Sequence, residues 1–214
     1  LRKLGPLGCG YVTGSGTVFN TLKPEPGSTI AVTGTGAVGL AAMMAGKISG
    51  CTKVIAIDRV PERLELAKEL GATDAINTND QDMVKAIQDL TDGKGVDYIV
   101  DTTGVTKVME DAIQALAQGG VLAAIAVTAQ HIDVNTWNDL CPADRTIVGV
   151  NMGDSIPQVD IPRLIEFYKL GMFDFDKTEK FYDFDQINEA NADSVSGETI
   201  KPVLIIDKDY QPGD

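Results

Sequence analysis

Residues 29–44 read TIAVTGTGAVGLAAMM, a short apolar run that meets three glycines and continues into a run rich in alanine. This order of residue types predicts a buried β-strand over Ile30–Val32, then a glycine turn, then an α-helix over Val38–Ser49. The glycines follow the spacing G-x-G-x-x-G. That pattern is weak alone, because glycine is common, but it is informative between a strand and a helix.

Each glycine of this turn has a distinct physical task if the turn binds a dinucleotide. Gly34 permits the tight turn, Gly36 lets a pyrophosphate approach the backbone, and Gly39 lets the helix pack close to the strand. The free N–H groups and the dipole of the helix start favour the anion. Asp58, 19 residues after Gly39, ends the next predicted strand and is placed to accept hydrogen bonds from an adenosine ribose. The alternative is a turn that packs a helix on a sheet without any ligand.

The charges around the second strand bear on the choice between NAD and NADP. The Asp58 carboxylate repels a 2′-phosphate, which favours NAD. Arg59 and Arg63 follow it and could still meet a phosphate, or they could form a solvated helix edge.

Strand and helix signals alternate along the rest of the chain, which predicts βαβ units and a parallel sheet. We expect an α/β fold with a doubly wound, six-stranded parallel sheet of order 3-2-1-4-5-6 over residues 28–152. The further predicted strands are Lys53–Ile57, Ala75–Asn77, Val96–Val100, Val121–Val127 and Thr146–Val150, with a last one at Pro202–Ile206 outside the sheet. The further predicted helices are Glu62–Leu70 after Pro61, one capped by Asn79 or Asp80 and running to about Leu90, Thr106–Leu116, Ile161–Leu170 and Asp185–Ser194.

Ligands in such sheets lie outside the carboxyl ends of the strands, where the strand order reverses. Several predicted strand ends should therefore surround one crevice, although each of them could be an ordinary strand-to-helix turn. They are Thr102, Thr103, Gly104, Val127, Thr128, Val150, Asn151 and Met152.

Composition excludes several other functions. The net charge of −13 argues against a nucleic-acid partner, which needs a basic footprint. No apolar run is long enough for a transmembrane helix, and no secretory signal is visible. The three cysteines are far apart and His131 is the only histidine, which argues against a self-contained zinc cluster and against a disulfide framework. We expect a reduced, cytoplasmic protein in which Cys51 and Cys141 are buried and Cys9 is partly exposed.

Taken together, four segments resemble the zinc-type alcohol dehydrogenases of the medium-chain dehydrogenase/reductase superfamily, in the family's order and spacing. They are LGCGYVTGSGTVFN, VTGTGAVGLAAMMAGKISGC, VIAIDRVPERLELAKELGATDAIN with VDYIVDTTG, and FYDFDQINEANADSVSGETIKPVLII. The resemblance covers nearly the whole chain, and within the family it is greatest to aryl- or benzyl-alcohol dehydrogenases.

The resemblance implies roles for individual residues. Cys9 in LGCG matches a catalytic zinc ligand, and Thr13 matches a residue beside the nicotinamide. Lys201 stands where the family usually has an arginine on the pyrophosphate; a lysine supplies the charge without the bidentate fork. The remaining matches are backbone contacts to the pyrophosphate or the nicotinamide, at Ala37, Val38, Ile125, Val127, Val150 and Met152.

The resemblance also implies a division of the chain and a reaction. Residues 1–27 correspond to a linker and a helix leading from an N-terminal catalytic domain, 28–152 to the NAD-binding domain, and 153–214 to a segment associated with the catalytic domain. The other zinc ligands belong to that N-terminal domain, so we expect no intact zinc site and little or no turnover from this chain, which lacks an initial Met and is expected to be truncated. The intact enzyme would transfer hydride between a zinc-bound alcohol and NAD.

Assembly and rival functions stay open at this stage. The family usually pairs through the last strands of the sheet, so residues Val134–Val150 would supply a dimer edge, whereas the charges of Asp139, Asp144 and Arg145 would suit a blunted edge in a monomer. The flanking residues 156–172 and 181–206 would lie against the sheet or be partly disordered. The rival functions are a non-catalytic NAD-sensing module, a methyltransferase using S-adenosylmethionine and a zinc-free quinone reductase of the same superfamily.

Overall fold

The computed structural model describes residues 2–207 and 209. Six strands form one parallel sheet of order β3-β2-β1-β4-β5-β6, so the predicted topology is confirmed. These strands are β1 (Thr29–Thr33), β2 (Lys53–Asp58), β3 (Asp74–Asn77), β4 (Val96–Asp101), β5 (Leu116–Ala124) and β6 (Thr146–Gly149). Two further strands, β7 (Glu179–Asp183) and β8 (Lys201–Ile205), pair in parallel as a separate small sheet.

Helices cover both faces of the large sheet. They are α1 (Gly10–Gly16), α2 (Ala37–Ile48), α3 (Pro61–Glu69), α4 (Met83–Leu90), α5 (Thr106–Ala115), α6 (Pro157–Lys169) and α7 (Ile187–Ser196). Short 3-10 or π-helical turns lie at Arg2–Gly8, Thr17–Leu22, Thr136–Leu140, Cys141–Ala143, Met152–Asp154, Phe175–Thr178 and Phe184–Gln186. No helix in the described part of the chain is long and apolar enough to cross a membrane.

The side chains of β1 alternate between two apolar clusters because successive residues of a strand point to opposite faces. Ile30 and Val32 belong to the cluster under α1, α2, α3 and α6, whereas Ala31 belongs to the cluster under α4 and α5. The strands are therefore buried on both faces, as their near-continuous apolar runs predicted.

The segments outside the sheet pack against it. Tyr11 of α1, Leu164 of α6 and the following Phe173 and Phe175 are fully buried in the same cluster as β1 and α2. The Tyr11 and Phe175 rings lie 5.3 Å apart, and the Tyr11 hydroxyl donates to the Phe175 carbonyl at 3.3 Å. Of the two alternatives for the flanking residues, packing against the sheet is therefore correct for this part of the chain.

The predicted boundaries of three elements, α4, β5 and α6, were wrong. The α4 cap is Asp82 and not Asn79 or Asp80, because its carboxylate accepts the Lys85 N–H at 2.8 Å while the Asp80 N–H turns back to a carbonyl. Strand β5 begins five residues early and ends at Ala124, so Val127 lies in a fully exposed loop.

Helix α6 begins at Pro157 and not at Ile161, since a proline suits the first helical position. Strand β7 was not predicted at all, because its sequence, EKFYD, carries only two apolar residues. The expectation for the thiols was also wrong for Cys141, which is exposed in the loop before β6, and Cys51 is only half-buried.

A glycine of α1 determines how closely α1 approaches the start of α2. A Cβ atom on Gly14 would lie 1.9 Å from the Val38 carbonyl oxygen of α2, a distance that no side chain tolerates. At Gly10, four residues earlier on α1, a Cβ atom would meet Val38 and Ala37 at 3.6 and 3.8 Å, which are ordinary contacts.

The Gly14→Ala substitution should therefore lower the free energy of unfolding by about 1–3 kcal/mol through overpacking. Urea denaturation of the two variants measures the effect, with Gly10→Ala as the matched control that keeps wild-type stability. Equal stability of Gly14→Ala and wild type would contradict the close crossing of α1 and α2.

Candidate functional site: the glycine turn and its two clefts

The turn between β1 and α2 accommodates only glycine at two of the three positions of its G-x-G-x-x-G pattern. Gly34 has a φ of +88°, and a Cβ atom there would lie 2.3 Å from the Thr102 hydroxyl. At Gly39, a Cβ atom would lie 1.9 Å from the Gly34 carbonyl oxygen. The helix therefore abuts the strand as closely as two backbones can.

Gly36 differs from the other two because no protein atom crowds it. A Cβ atom on Gly36 would have nothing within 4 Å, so the face of this residue is open at the N-terminus of α2. Free N–H groups and the positive end of the helix dipole lie there, which makes the position suited to an anion.

Two clefts flank the turn. The Asp58 cleft, of about 310 Å³, is lined by Thr33, Gly34, Ile57, Asp58, Arg59, Thr78, Thr103, Val105 and Val108. The Lys201 cleft, of about 480 Å³, is lined by Cys9, Gly10, Thr13, Gly36, Ala37, Val38, Thr102, Ile125, Ala126, Val127, Val150, Asn151, Met152, Ile200 and Lys201. The structure thus brings most of the sequence-predicted site residues together on the two sides of one turn.

Five of the predicted residues line neither cleft: Thr35, Gly39, Arg63, Gly104 and Thr128. Thr35 is buried behind the turn, and Gly39 is its packing contact. Gly104, with a φ of +62°, donates its N–H to the Asp101 carboxylate at 2.9 Å. Arg63 points to the backbone of Gly197.

The Asp58 carboxylate is held by four donors of the protein itself. Its Oδ2 accepts from the N–H and the hydroxyl of Thr35 at 2.7 and 2.6 Å, and its Oδ1 accepts from the N–H groups of Arg59 and Val60 at 2.7 and 3.1 Å. Burial by itself raises the pKa of Asp58, but these hydrogen bonds to the charged form outweigh it and lower the pKa below its ordinary value. Asp58 is therefore a fixed negative charge at the rim of its cleft.

The sequence analysis missed a buried carboxylate, that of Asp101, which holds two residues that line the Asp58 cleft. Asp101, at the end of β4, is fully buried, and its Oδ1 accepts the hydroxyls of Thr33 and Thr103 at 2.5 and 2.7 Å. Its Oδ2 accepts the Gly104 N–H. An aspartate that ends an otherwise apolar strand, directly before Thr-Thr-Gly, was the signal that could have identified it.

Lys201 places a positive charge at the Lys201 cleft. It begins β8 and forms no ion pair with any of the residues described. Glu179 stands opposite it in the register of β7 and β8, with both carboxylate oxygens buried and without hydrogen-bond partners in residues 2–207 and 209. Burial, and then the charge of Asp176, raise the pKa of Glu179 to about 7, so at neutral pH it offsets the Lys201 charge only in part.

The Cys9 thiol is exposed and lines the same cleft as Lys201. Zinc in proteins takes four ligands, usually thiolates and imidazoles. Within the described residues, no three His, Cys, Asp or Glu side chains are grouped so that they could hold a metal ion. Cys9 with its own surroundings therefore does not fit a zinc site.

A parallel sheet wound on both sides, with a glycine turn after β1 and an acid at the end of β2, defines a Rossmann fold. A family model described as zinc-binding dehydrogenase matches residues 37–169. The chain belongs to this family.

Relatives and solved structures agree with this membership. Over 96% of its length the chain is 40% identical to geraniol dehydrogenase of Castellaniella defragrans, and over 92% it is 36% identical to a class-3 alcohol dehydrogenase of Myxine glutinosa. The crystal structure of an alcohol dehydrogenase zinc-binding domain protein from Burkholderia ambifaria matches 97% of the chain with a TM-score of 0.94 and 45% identity.

The crystal structure of benzyl alcohol dehydrogenase from Acinetobacter calcoaceticus matches 96% of the chain with a TM-score of 0.90 and 43% identity. The chain spans about half the length of these proteins: 55% and 54% of the two relatives, and 56% and 57% of the two solved chains. The resemblance to zinc-type alcohol dehydrogenases, with an aryl-alcohol neighbour, is confirmed.

The four donors on Asp58 predict a pH-dependent contribution to stability. Because the folded-state pKa lies below the ordinary 3.8, the ionised carboxylate stabilises the fold above that pH, and the stabilisation is lost as the pH falls through the folded-state pKa. Asp58→Asn should lower the free energy of unfolding by about 1 kcal/mol at pH 7, and by less as the pH falls below about 4.

Urea denaturation at pH 7 and pH 3 tests this, with Asp80→Asn, at an exposed aspartate, as the control. A difference between Asp58→Asn and wild type that stayed constant over this range would show that the ionised form of Asp58 has no special role in stability.

Proposed function

We propose that this chain is the NAD(H)-binding portion of a zinc-type alcohol dehydrogenase. The observation that carries the proposal is the open face of Gly36 at the N-terminus of α2, between the Asp58 cleft and the Lys201 cleft. A pyrophosphate set against Gly36 would meet backbone N–H groups, the helix dipole and the charge of Lys201. The adenosine would then extend into the Asp58 cleft and the nicotinamide into the Lys201 cleft.

Asp58 supports NAD over NADP as the cofactor. A fixed carboxylate at the ribose repels a 2′-phosphate but accepts hydrogen bonds from ribose hydroxyls. A carboxylate offers about four acceptor positions, and four protein donors already use them. We infer that the ribose displaces the Thr35 hydroxyl, the one donor of the four that can rotate away.

In the proposed enzyme the bound cofactor would supply the hydride chemistry at its nicotinamide. The residues of this chain would bind the cofactor, orient its ring between Thr13 and the strand ends at Ile125 and Val150, and exclude water beneath it. Among the described residues that line the Lys201 cleft, Cys9 is the one with a side chain of a zinc-ligand type, so zinc would need further ligands from the other half of the enzyme. We propose that the catalytic residues and the substrate pocket belong to the other half of the enzyme, so that residues 28–152 are the NAD-binding domain, residues 1–27 lead into it and residues 153–214 return towards that half.

The substrate class follows from the relatives and not from the clefts. The relatives are named as geraniol, benzyl alcohol and class-3 alcohol dehydrogenases. We therefore infer a small alcohol or aldehyde as the substrate, with an aryl alcohol as the first candidate, and little or no turnover by this chain alone. A thiol at Cys9 matches a zinc ligand, which favours this class over the zinc-free quinone reductases.

We also infer a homodimer or higher homo-oligomer in the cytoplasm. Strand β6 is an edge of the large sheet, and Trp137, in the segment that precedes β6 in the sequence, is 71% exposed. An edge strand is suited to pairing with a second copy of the chain. The three free cysteines are consistent with a reducing compartment.

Cofactor choice is tested by fluorescence titration of the purified chain with NADH and, separately, NADPH. NADH should give saturable enhancement, and NADPH should bind at least about tenfold more weakly because its 2′-phosphate meets Asp58. Tighter binding of NADPH would reverse the assignment, and binding of neither would refute it.

The role of Gly36 is tested by Gly36→Ala. The added methyl group has free space in the protein but would occupy the position of the pyrophosphate, so stability should be unchanged and NADH affinity should fall at least about tenfold. Gly5→Ala is the matched control, because a Cβ atom there also has nothing within 4 Å and Gly5 lines neither cleft. Unchanged NADH affinity of Gly36→Ala would contradict the proposed position of the cofactor.

A further inference from the structure

Arg63, whose sequence position suggested contact with the cofactor, lines neither cleft. It lies in the first turn of α3, close after Asp58, but its Nη2 donates to the carbonyl oxygen of Gly197 at 3.2 Å. Gly197 ends α7 with a φ of +85°, and a Cβ atom on it would lie 2.9 Å from the same nitrogen. The guanidinium therefore packs directly on the backbone of this glycine.

The segment that starts at Gly197 leads straight to the Lys201 cleft. Thr199 is almost fully buried, its N–H donates to the Asp193 carbonyl at 3.0 Å, and its hydroxyl lies 2.7 Å from the Tyr182 hydroxyl. Ile200 and Lys201 then line the cleft. The turn is thus tied to α7 and β7 on its own side, and Arg63 ties it to α3, which follows the strand carrying Asp58.

The hydrogen bond from Arg63 to Gly197 contributes little to stability, but it is suited to holding the turn at Gly197 in place. A guanidinium favours the carbonyls at a helix C-terminus, where the dipole is negative. Its Nε, however, is buried without a hydrogen-bond partner in the described part of the chain, which costs stability. A lysine could make the same single bond without leaving such a nitrogen buried.

We propose that Arg63 is a positioning residue for the cofactor: it holds the turn from Gly197 to Lys201 against α3, and so fixes the Lys201 ammonium beside the pyrophosphate. The proposal rests on the proposed NAD(H) binding. It also means that Arg63 is engaged by the protein and does not meet a 2′-phosphate. Arg59 is then the one arginine, among the described residues, that lines the Asp58 cleft.

The test compares NADH with adenosine, which fills the Asp58 cleft but carries no phosphate. Arg63→Met removes the donor and keeps the length of the side chain, whereas Arg63→Lys keeps a donor and the charge. Arg63→Met should weaken NADH binding about 3- to 10-fold, the effect of one hydrogen bond, and leave adenosine binding, measured by competition with NADH, unchanged. Arg63→Lys should keep NADH affinity within about twofold.

A double-mutant cycle with Lys201→Met identifies the route of the effect. If Arg63 acts through Lys201, Arg63→Met should add nothing to the loss that Lys201→Met already causes. Additive losses, an equal loss of adenosine and NADH affinity, or unchanged NADH affinity of Arg63→Met would each overturn the proposal. Arg63→Gln, whose shorter amide cannot reach Gly197, replaces Arg63→Met if thermal unfolding shows that the latter does not fold.

Failure of the proposed function is distinguishable from failure of this inference. If the wild-type chain binds no NADH, the proposed function fails and the positioning role fails with it. If wild type binds NADH and Arg63→Met binds it equally well, only the positioning role is refuted.

Discussion

The close approach of Gly39 to the Gly34 carbonyl oxygen determines where α2 begins and thus how the site is formed. A single methyl group at Gly39 would lie 1.9 Å from that oxygen, so the approach of α2 to β1 requires glycine. The approach places the first N–H groups of α2 at the carboxyl edge of the sheet, with Gly36 open above them. Both clefts exist because this helix begins where it does.

A second close approach brings distant parts of the chain to the same helix. Gly14 lets α1 cross α2 at the Val38 carbonyl, and Gly153, with a φ of +66°, lets the turn after β6 reach the carbonyls of α1. Residues from the first 20 positions, from the sheet and from β8 therefore surround one cleft. Residues far apart in the sequence therefore form this cleft, whereas the glycine turn proposed to hold the pyrophosphate is local.

The sequence predicted the sheet and its order because buried strands, crossover helices and the glycine turn each leave a local pattern. It did not predict β7, whose polar residues are held by pairing with β8, or the end of β5, where an apolar Val127 continues the pattern into an exposed loop. The direction of Arg63 was equally inaccessible, since its partner Gly197 lies 134 positions away in the chain. Patterns within one element were sufficient for the fold, while contacts between distant elements decided which side chains reach the clefts.

A crystal structure of this chain with NADH bound would locate the cofactor. We expect the pyrophosphate against Gly36 at the start of α2, the adenosine ribose at Asp58 and the Lys201 ammonium beside the phosphates. A cofactor bound elsewhere, or a pyrophosphate turned away from the N-terminus of α2, would contradict this expectation.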